Sequence, residues 1–253
     1  MFCGLSPLVA VASLALPQVC AVCRATDVAL CEPCLQEVAT SLWHAGPRRS
    51  RPDPEPEGLP PVHACGRFEG ALAGLVTAYK DGGRRDCAPV LAGLLADAVD
   101  AALGQAPGVR QVLAAGHGPV LVVPVPSSST SRRRRGDAPL EALAERAVSG
   151  FGAGEVLVAD ALRVRRRVAD QAGLGAAGRH LNVEHSMTVR RVWAAGVERA
   201  TCVVVDDVLT TGATLREATR ALRAGGAAQV LGATICATGR RAAVPRECSG
   251  SSR

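Results

Sequence analysis

Aromatic residues make up only 2% of this 253-residue chain, and a single residue, Lys80, supplies all of its lysine against 28 arginines among 29 basic residues. With so few rings, the core must rest on Val, Leu and Ala. The stacking platforms of sequence-tolerant single-strand nucleic-acid binders are scarce as well. No Gly-x-x-x-x-Gly-Lys-Ser/Thr sequence occurs, which argues against a P-loop ATPase. The apolar stretch from Leu5 to Leu16 is too short to cross a bilayer, contains Pro7 and has no basic residue ahead of it. We read it as a packed segment, with a targeting or membrane-surface role as the alternative. No membrane span and no export signal are expected, so the expected compartment is the reducing cytoplasm. No internal repeat is visible.

Hydrophobic residues are 48% of the chain, ample for a packed core, and the net charge of +6 favours phosphate-bearing partners without choosing between a nucleotide and a nucleic acid. In a reducing compartment ten cysteines do not form a disulfide framework. Four of them fall as Cys20-x2-Cys23 and Cys31-x2-Cys34, the spacing of two knuckles that hold one structural Zn2+ through four thiolates. The competing reading is a redox pair or scattered thiols. Cys3, Cys65, Cys87, Cys202, Cys236 and Cys248 show no such pairing, and Cys202 and Cys236 lie in apolar runs as small core residues.

The densest signal is Cys202-Val203-Val204-Val205-Asp206-Asp207, followed by Val208-Leu209 and Thr210-Thr211-Gly212-Ala213-Thr214. The apolar run has the length and branching of a parallel strand covered on both faces, and the two carboxylates sit where it emerges at the carboxyl edge of a sheet. Adjacent carboxylates repel, so they call for hydroxyls that donate to both or for a divalent cation. The loop beyond has no side chain larger than threonine, so its backbone N–H groups can close on an anion. A helix from about Thr214, with Leu215, Ala218 and Leu222 on one face, Thr214 as a cap and Gly225-Gly226 as a stop, would aim its dipole at the same anion. An ordinary buried strand with an acidic turn is the alternative.

Elsewhere, helical spacing covers Leu72 to Tyr79, Val90 to Val99 and Leu140 to Ala147. Strands are expected at Val120 to Val125, Glu155 to Leu162 and Val230 to Cys236. This alternation predicts an α/β fold, a mostly parallel sheet flanked by helices. The divisions are 1–45, an N-terminal segment with the cysteine module; 46–61, a proline-rich linker; 62–237, the main domain; and 238–253, a polar tail expected to be disordered.

Residues 202–214 resemble the phosphoribosyl pyrophosphate signature of type I phosphoribosyltransferases. The resemblance implies that fold, Asp206 and Asp207 on the ribose hydroxyls, and Thr210, Thr211, Gly212, Ala213 and Thr214 around the 5′-phosphate. In such enzymes a loop after a second strand holds the pyrophosphate. Here Val122 to Pro126 is followed by Ser127 and by Arg132 to Arg135, with a solvated or nucleic-acid-binding basic turn as the alternative. Mg2+ would bridge pyrophosphate and ribose oxygens. Lys80, in Tyr79-Lys80-Asp81-Gly82-Gly83, is a compact charge suited to a sugar phosphate or an acceptor, though a lone lysine also arises by chance.

The chain is further similar to the ComF family, competence-associated proteins with a cysteine zinc module ahead of a phosphoribosyltransferase domain. That similarity rests on Cys20 to Cys34, Lys80, Val123 to Pro126, Arg132 to Gly136, and Gln171, Leu174, Arg179 and Asn182 of a lid-like segment. It departs at Gly136-Asp137-Ala138-Pro139, where the family often has Phe-Asn-Gln, and in keeping only Cys65 of a second cysteine cluster, so one zinc is expected. The implied function is transfer of a phosphoribosyl group to an unidentified acceptor, in DNA uptake or nucleotide metabolism. The rival is a non-catalytic module that handles single-stranded DNA or a competence helicase through zinc and the Arg132 to Arg135 and Arg163 to Arg167 clusters. Candidates for an acceptor clamp are Phe68, Tyr79, Phe151 and Trp193. A homodimer is compatible with either reading.

Overall fold

The computed structural model describes residues 18–106, 108–109, 119–126, 138–152, 154–165 and 185–239. In chain order these form α1 (Glu32–Ser41), β1 (Arg48–Ser50), β2 (Val62–Arg67), α2 (Gly70–Lys80), α3 (Ala88–Gln105), β3 (Val120–Pro124), α4 (Pro139–Val148), β4 (Val156–Val158), β5 (Leu162–Val164), β6 (Met187–Val189), α5 (Ala194–Val197), β7 (Thr201–Leu209), α6 (Ala213–Ala224) and β8 (Gln229–Ala237). Six strands make one sheet in the order β1-β2-β8-β7-β3-β4, parallel throughout except for β1, which runs antiparallel to β2.

The period-two alternation of strand side chains divides the core into two layers. Val120 and Val122 of β3, and Val203 and Val205 of β7, pack with Leu72 and Leu75 of α2, Leu91 and Leu95 of α3 and Leu143 of α4. Leu121 and Val123, and Cys202 and Val204, pack on the opposite face with Leu215, Ala218 and Leu222 of α6. Covering both faces explains why these strands are unbroken apolar runs. Each fully buried leucine contributes about 1.5–3 kcal/mol of transfer free energy. Residues 85–105 are long and apolar enough, by length and composition alone, to cross a membrane. The buried face of α3 at Leu91, Leu95, Ala98, Val99 and Ala102 instead serves the sheet.

The helix after β3 lies on one face and the helix after β7 on the other. The chain thus reverses its winding between two neighbouring strands, and a crevice opens outside their carboxyl ends.

Three sequence expectations change. The strand expected over 155–162 divides: Ala161 N–H turns back onto the Ala159 carbonyl at 2.6 Å, and β5 leaves to pair with β6 in a separate antiparallel ribbon. Asp160, ion-paired with Arg190 at 2.9 Å, marks the corner. Residues 48–50, inside the stretch read as a linker, form the edge strand β1, and Pro52 and Pro60 nearby are buried. Strand β2 and helix α1, too short or too polar for periodicity to reveal, complete the sheet and the cysteine module. The expected tail lies outside the described residues beyond Gly239.

The cysteine module is docked rather than tethered. Val38 of α1 joins the core against α2, and Glu37 Oε1 accepts the Ala71 N–H at 3.2 Å, so α1 supplies the cap that α2 lacks. Trp43 N–H donates to the Cys65 carbonyl at 2.9 Å, and a Cβ on Gly66 would lie 2.4 Å from the Ser41 carbonyl oxygen. Glycine is therefore required where the two segments cross.

Candidate functional site

The run from Thr201 to Leu209 is one strand, longer than the four apolar residues foretold, so Asp206 and Asp207 belong to the end of β7 rather than to the turn beyond it. The Asp207 N–H donates to Asp206 Oδ1 and the Val208 N–H to Asp207 Oδ1, each at 2.9 Å. Each carboxylate is thus fixed by the peptide that follows it. Lys80, the last residue of α2, reaches across to Asp207, its Nζ standing 2.6 Å from Oδ2 and 3.0 Å from Oδ1. The sole lysine therefore faces the ribose end of the expected site.

Both aspartates, Lys80 and Thr214 line one pocket of about 230 Å³ in the crevice, together with Val125 and Pro126 from the end of β3 and apolar side chains of α2, α3 and α4. Of the four aromatic clamp candidates only Tyr79 lines it. Its hydroxyl donates to the Pro139 carbonyl at 2.8 Å and so ties α2 to the start of α4. Phe68 and Phe151 pack on one core layer and Trp193 on the other. The apolar wall formed by Val76, Leu91, Leu140 and Leu143 was not foreseen, because no sequence signal separates a pocket-lining leucine from a core leucine.

Beyond Leu209, Thr210 and Thr211 are exposed and Gly212 is buried. Gly212, with φ +74°, is the residue before α6, and a Cβ there would meet Leu59 Cδ1 at 2.9 Å and Pro52 Cγ at 3.4 Å. Both its left-handed backbone and its surroundings demand glycine. Thr214 does not cap the helix: α6 starts at Ala213 with no side-chain cap, and Thr214 sits in the first turn facing the pocket. The first-turn N–H groups, which have no partner within a helix, and the dipole behind them favour an anion here. Ser127, Arg132, Arg135, Gln171 and Arg179 lie outside the described residues.

Asp206 keeps some accessible surface but lies in dense surroundings. Burial, and next the charge of Asp207, push its carboxyl from 3.8 up to about 8, against the pull of Lys80 and of the Asp207 N–H. At Lys80 burial is outweighed by Asp207, with Asp206 and Asp81 adding to it, and the ammonium is held above its ordinary range. A carboxyl whose folded value is raised contributes its full stability below the unfolded value and loses it as pH rises through the folded one. Replacing Asp206 by Asn should therefore stabilise the ligand-free protein progressively between about pH 4 and pH 8, the window set by 3.8 and about 8, with no further gain above. Urea midpoints of parent and variant across that range test this; a constant difference would refute it.

The second constellation is the cysteine group. The Sγ atoms of Cys20, Cys23, Cys31 and Cys34 all lie within 4.8 Å of one another, and Cys23 and Cys31 are 3.5 Å apart. A tetrahedral four-thiolate zinc has S–S edges of about 3.8 Å, so the donor set fits that ion. Turns with positive φ at Arg24 and Asp27 bring the knuckles together. Burial opposes ionisation of Cys20, but N–H groups of Cys31, Cys23 and Val22 prevail and lower its thiol to about 6. Cys34, buried and crowded by the other sulfurs, is pushed up to about 12. Among the described residues no other group of three or more His, Cys, Asp or Glu side chains comes together in this way, and Cys65, Cys87, Cys202 and Cys236 are buried thiols.

A family model described as a phosphoribosyl transferase domain matches residues 172–251, the span containing β7, the small-residue loop, α6 and β8. The chain is phosphoribosyltransferase-like. A search of curated proteins finds no match. The matched span holds the carboxylate pair and the glycine-bearing loop, and leaves Lys80 and β3 outside it.

Proposed function

We propose that the crevice binds phosphoribosyl pyrophosphate with Mg2+ and that the protein transfers the phosphoribosyl group to an acceptor. The observation that carries this is continuity: two carboxylates end β7, a loop of small hydroxyl residues follows at once, and a helix N-terminus backs the loop, with Lys80 and Thr214 in the same pocket. Asp206 and Asp207 hold the vicinal ribose hydroxyls, one carboxyl able to donate and the other paired with Lys80. The hydroxyls of Thr210, Thr211 and Thr214 and the N–H groups of the loop take the 5′-phosphate.

Mg2+ is commonly held by one or two carboxylates together with substrate phosphates, while keeping several waters, and the aspartate pair offers that donor set. When bound it would neutralise charge on the departing pyrophosphate. In the reaction the bond from the anomeric carbon to the pyrophosphate oxygen breaks, the bond to the acceptor forms, and the acceptor gives up a proton. The negative oxygens of the pair favour the cation-like sugar between these events. As a finer reading we assign the chain to the ComF-like proteins, on the cysteine module ahead of the site and the Lys80 position. The test is calorimetry of the full chain with phosphoribosyl pyrophosphate, with and without Mg2+, followed by pyrophosphate release over a panel of bases, amines and oligonucleotides. Saturable, Mg2+-dependent binding is expected, and its absence would sink the proposal.

A further inference from the structure

We propose that a second pocket, outside the crevice, binds a phosphate-bearing small molecule. This pocket, of about 470 Å³, lies over β1, β2 and the end of β8, and is lined by Trp43, by Arg48, Arg49, Arg51 and Arg67, and by the chain at 237–239. No carboxylate lines it among the described residues. Arg51 and Arg67 have carboxylates nearby, Glu55 at 3.5 Å and Glu69 at 3.4 Å. Arg48 and Arg49 have no carboxylate partner among the described residues, and Arg48 lies over the Trp43 ring, 4.3 Å from its centroid. The four arginines around the pocket exceed the two glutamates paired with them by two positive charges, the charge of a phosphate monoester dianion, and a guanidinium offers the planar fork that suits phosphate oxygens.

The pocket adjoins the candidate phosphoribosyl site without sharing a lining residue with it. Thr238 N–H donates to the Leu209 carbonyl at 2.9 Å, just before the Thr210–Thr214 loop, and Pro52, which follows Arg51, abuts Gly212. An occupant here would stand beside the 5′-phosphate loop. A pocket with one aromatic, whose ring is already stacked by arginine, favours a small anion over a nucleic-acid strand, which needs several rings on which bases can stack.

The test uses the full chain carrying Trp193→Phe, which leaves Trp43 as the only indole, since the chain has two tryptophans. Its fluorescence is titrated at low salt with inorganic phosphate, ribose 5-phosphate and adenosine 5′-monophosphate. A saturable change is expected, weakened at least about tenfold by Arg49→Gln, which keeps the Arg48–Trp43 contact, and abolished when Arg48→Gln is added. Trp43 lines this pocket and no indole lines the crevice, so the signal separates the two sites whatever the fate of the phosphoribosyl reading. A response to inorganic phosphate as strong as to the esters identifies the free anion, and a stronger response to an ester identifies a phosphorylated metabolite. The proposal fails if no titrant gives saturation, if Arg49→Gln binds as the parent does, or if an oligonucleotide binds the pocket more tightly than all three.

Discussion

Replacing Asp207 by Asn should weaken binding of phosphoribosyl pyrophosphate by roughly a hundredfold to a thousandfold, about 3 to 4 kcal/mol, while leaving the fold intact. Asp207 is the partner of the pair that Lys80 engages, Nζ bonding both of its oxygens. A hydrogen bond from a ribose hydroxyl to that carboxylate is charge-assisted, and the amide would weaken it while presenting N–H groups to an ammonium. Lys80 is about half exposed, at 48% of its side chain, so water takes up much of the lost pairing and the cost to stability stays small. Asp206→Asn should behave differently. With its carboxyl raised to about 8, Asp206 is largely protonated at neutral pH, and an amide imitates that state. Its penalty should be modest at pH 7 and should grow as pH passes about 8, where the parent gains a charge that the variant cannot. Calorimetry of both variants at pH 7 and pH 9, with circular dichroism as the control for folding, distinguishes the two. Equal losses at both pH values would mean that the carboxylates are interchangeable and that Lys80 does not divide their roles.

The strand, the loop and α6 were legible because each is local. A β-branched run, a small-residue turn and leucines at helical spacing all fall within residues 201–224. The cysteine group was legible for the same reason. What lay hidden depends on contacts far apart in sequence. The bond between Lys80 and Asp207 joins residues 127 positions apart, and only the rarity of lysine hinted at it. Arg48–Ser50 reads as polar linker because an edge strand of three residues buries too little for alternation to show. Thr214 has the chemistry of a cap, yet the cap position falls to Gly212, whose place is set by Leu59 and Pro52 from a distant segment. The expected strand over 155–162 failed at Asp160, whose ion pair with Arg190 favours a corner.

Loss of zinc should do more to the fold than any single substitution in the crevice. Metal binding to a four-thiolate site is worth about 10–16 kcal/mol in isolated zinc-finger peptides, and that free energy is also folding free energy. Backbone bonds such as Ala21 N–H to the Ala29 carbonyl at 2.9 Å, with Val22 and Leu30 packed on the core, order part of the cysteine segment, but Cys23 is exposed and Cys31 partly so. Beyond it, however, the module is keyed into the domain by Val38, by the Glu37 cap on α2 and by the Trp43–Cys65 backbone bond. Cys34→Ser, which removes a buried ligand at the start of α1, should therefore abolish stoichiometric zinc and destabilise the chain by several kcal/mol, a part of the peptide figure because the docked surface survives. Mass spectrometry of the metal content should give one zinc per parent chain and none in the variant. Hydrogen exchange should show protection lost over residues 20–42 and at the first turn of α2, where Ala71 loses its cap. The far end of α2 carries Lys80, so ligand affinity should fall only a few-fold, by loosening the helix rather than by touching the ligand. A metal-free variant with the parent's Tm and exchange pattern would show that the thiols are not a structural zinc site.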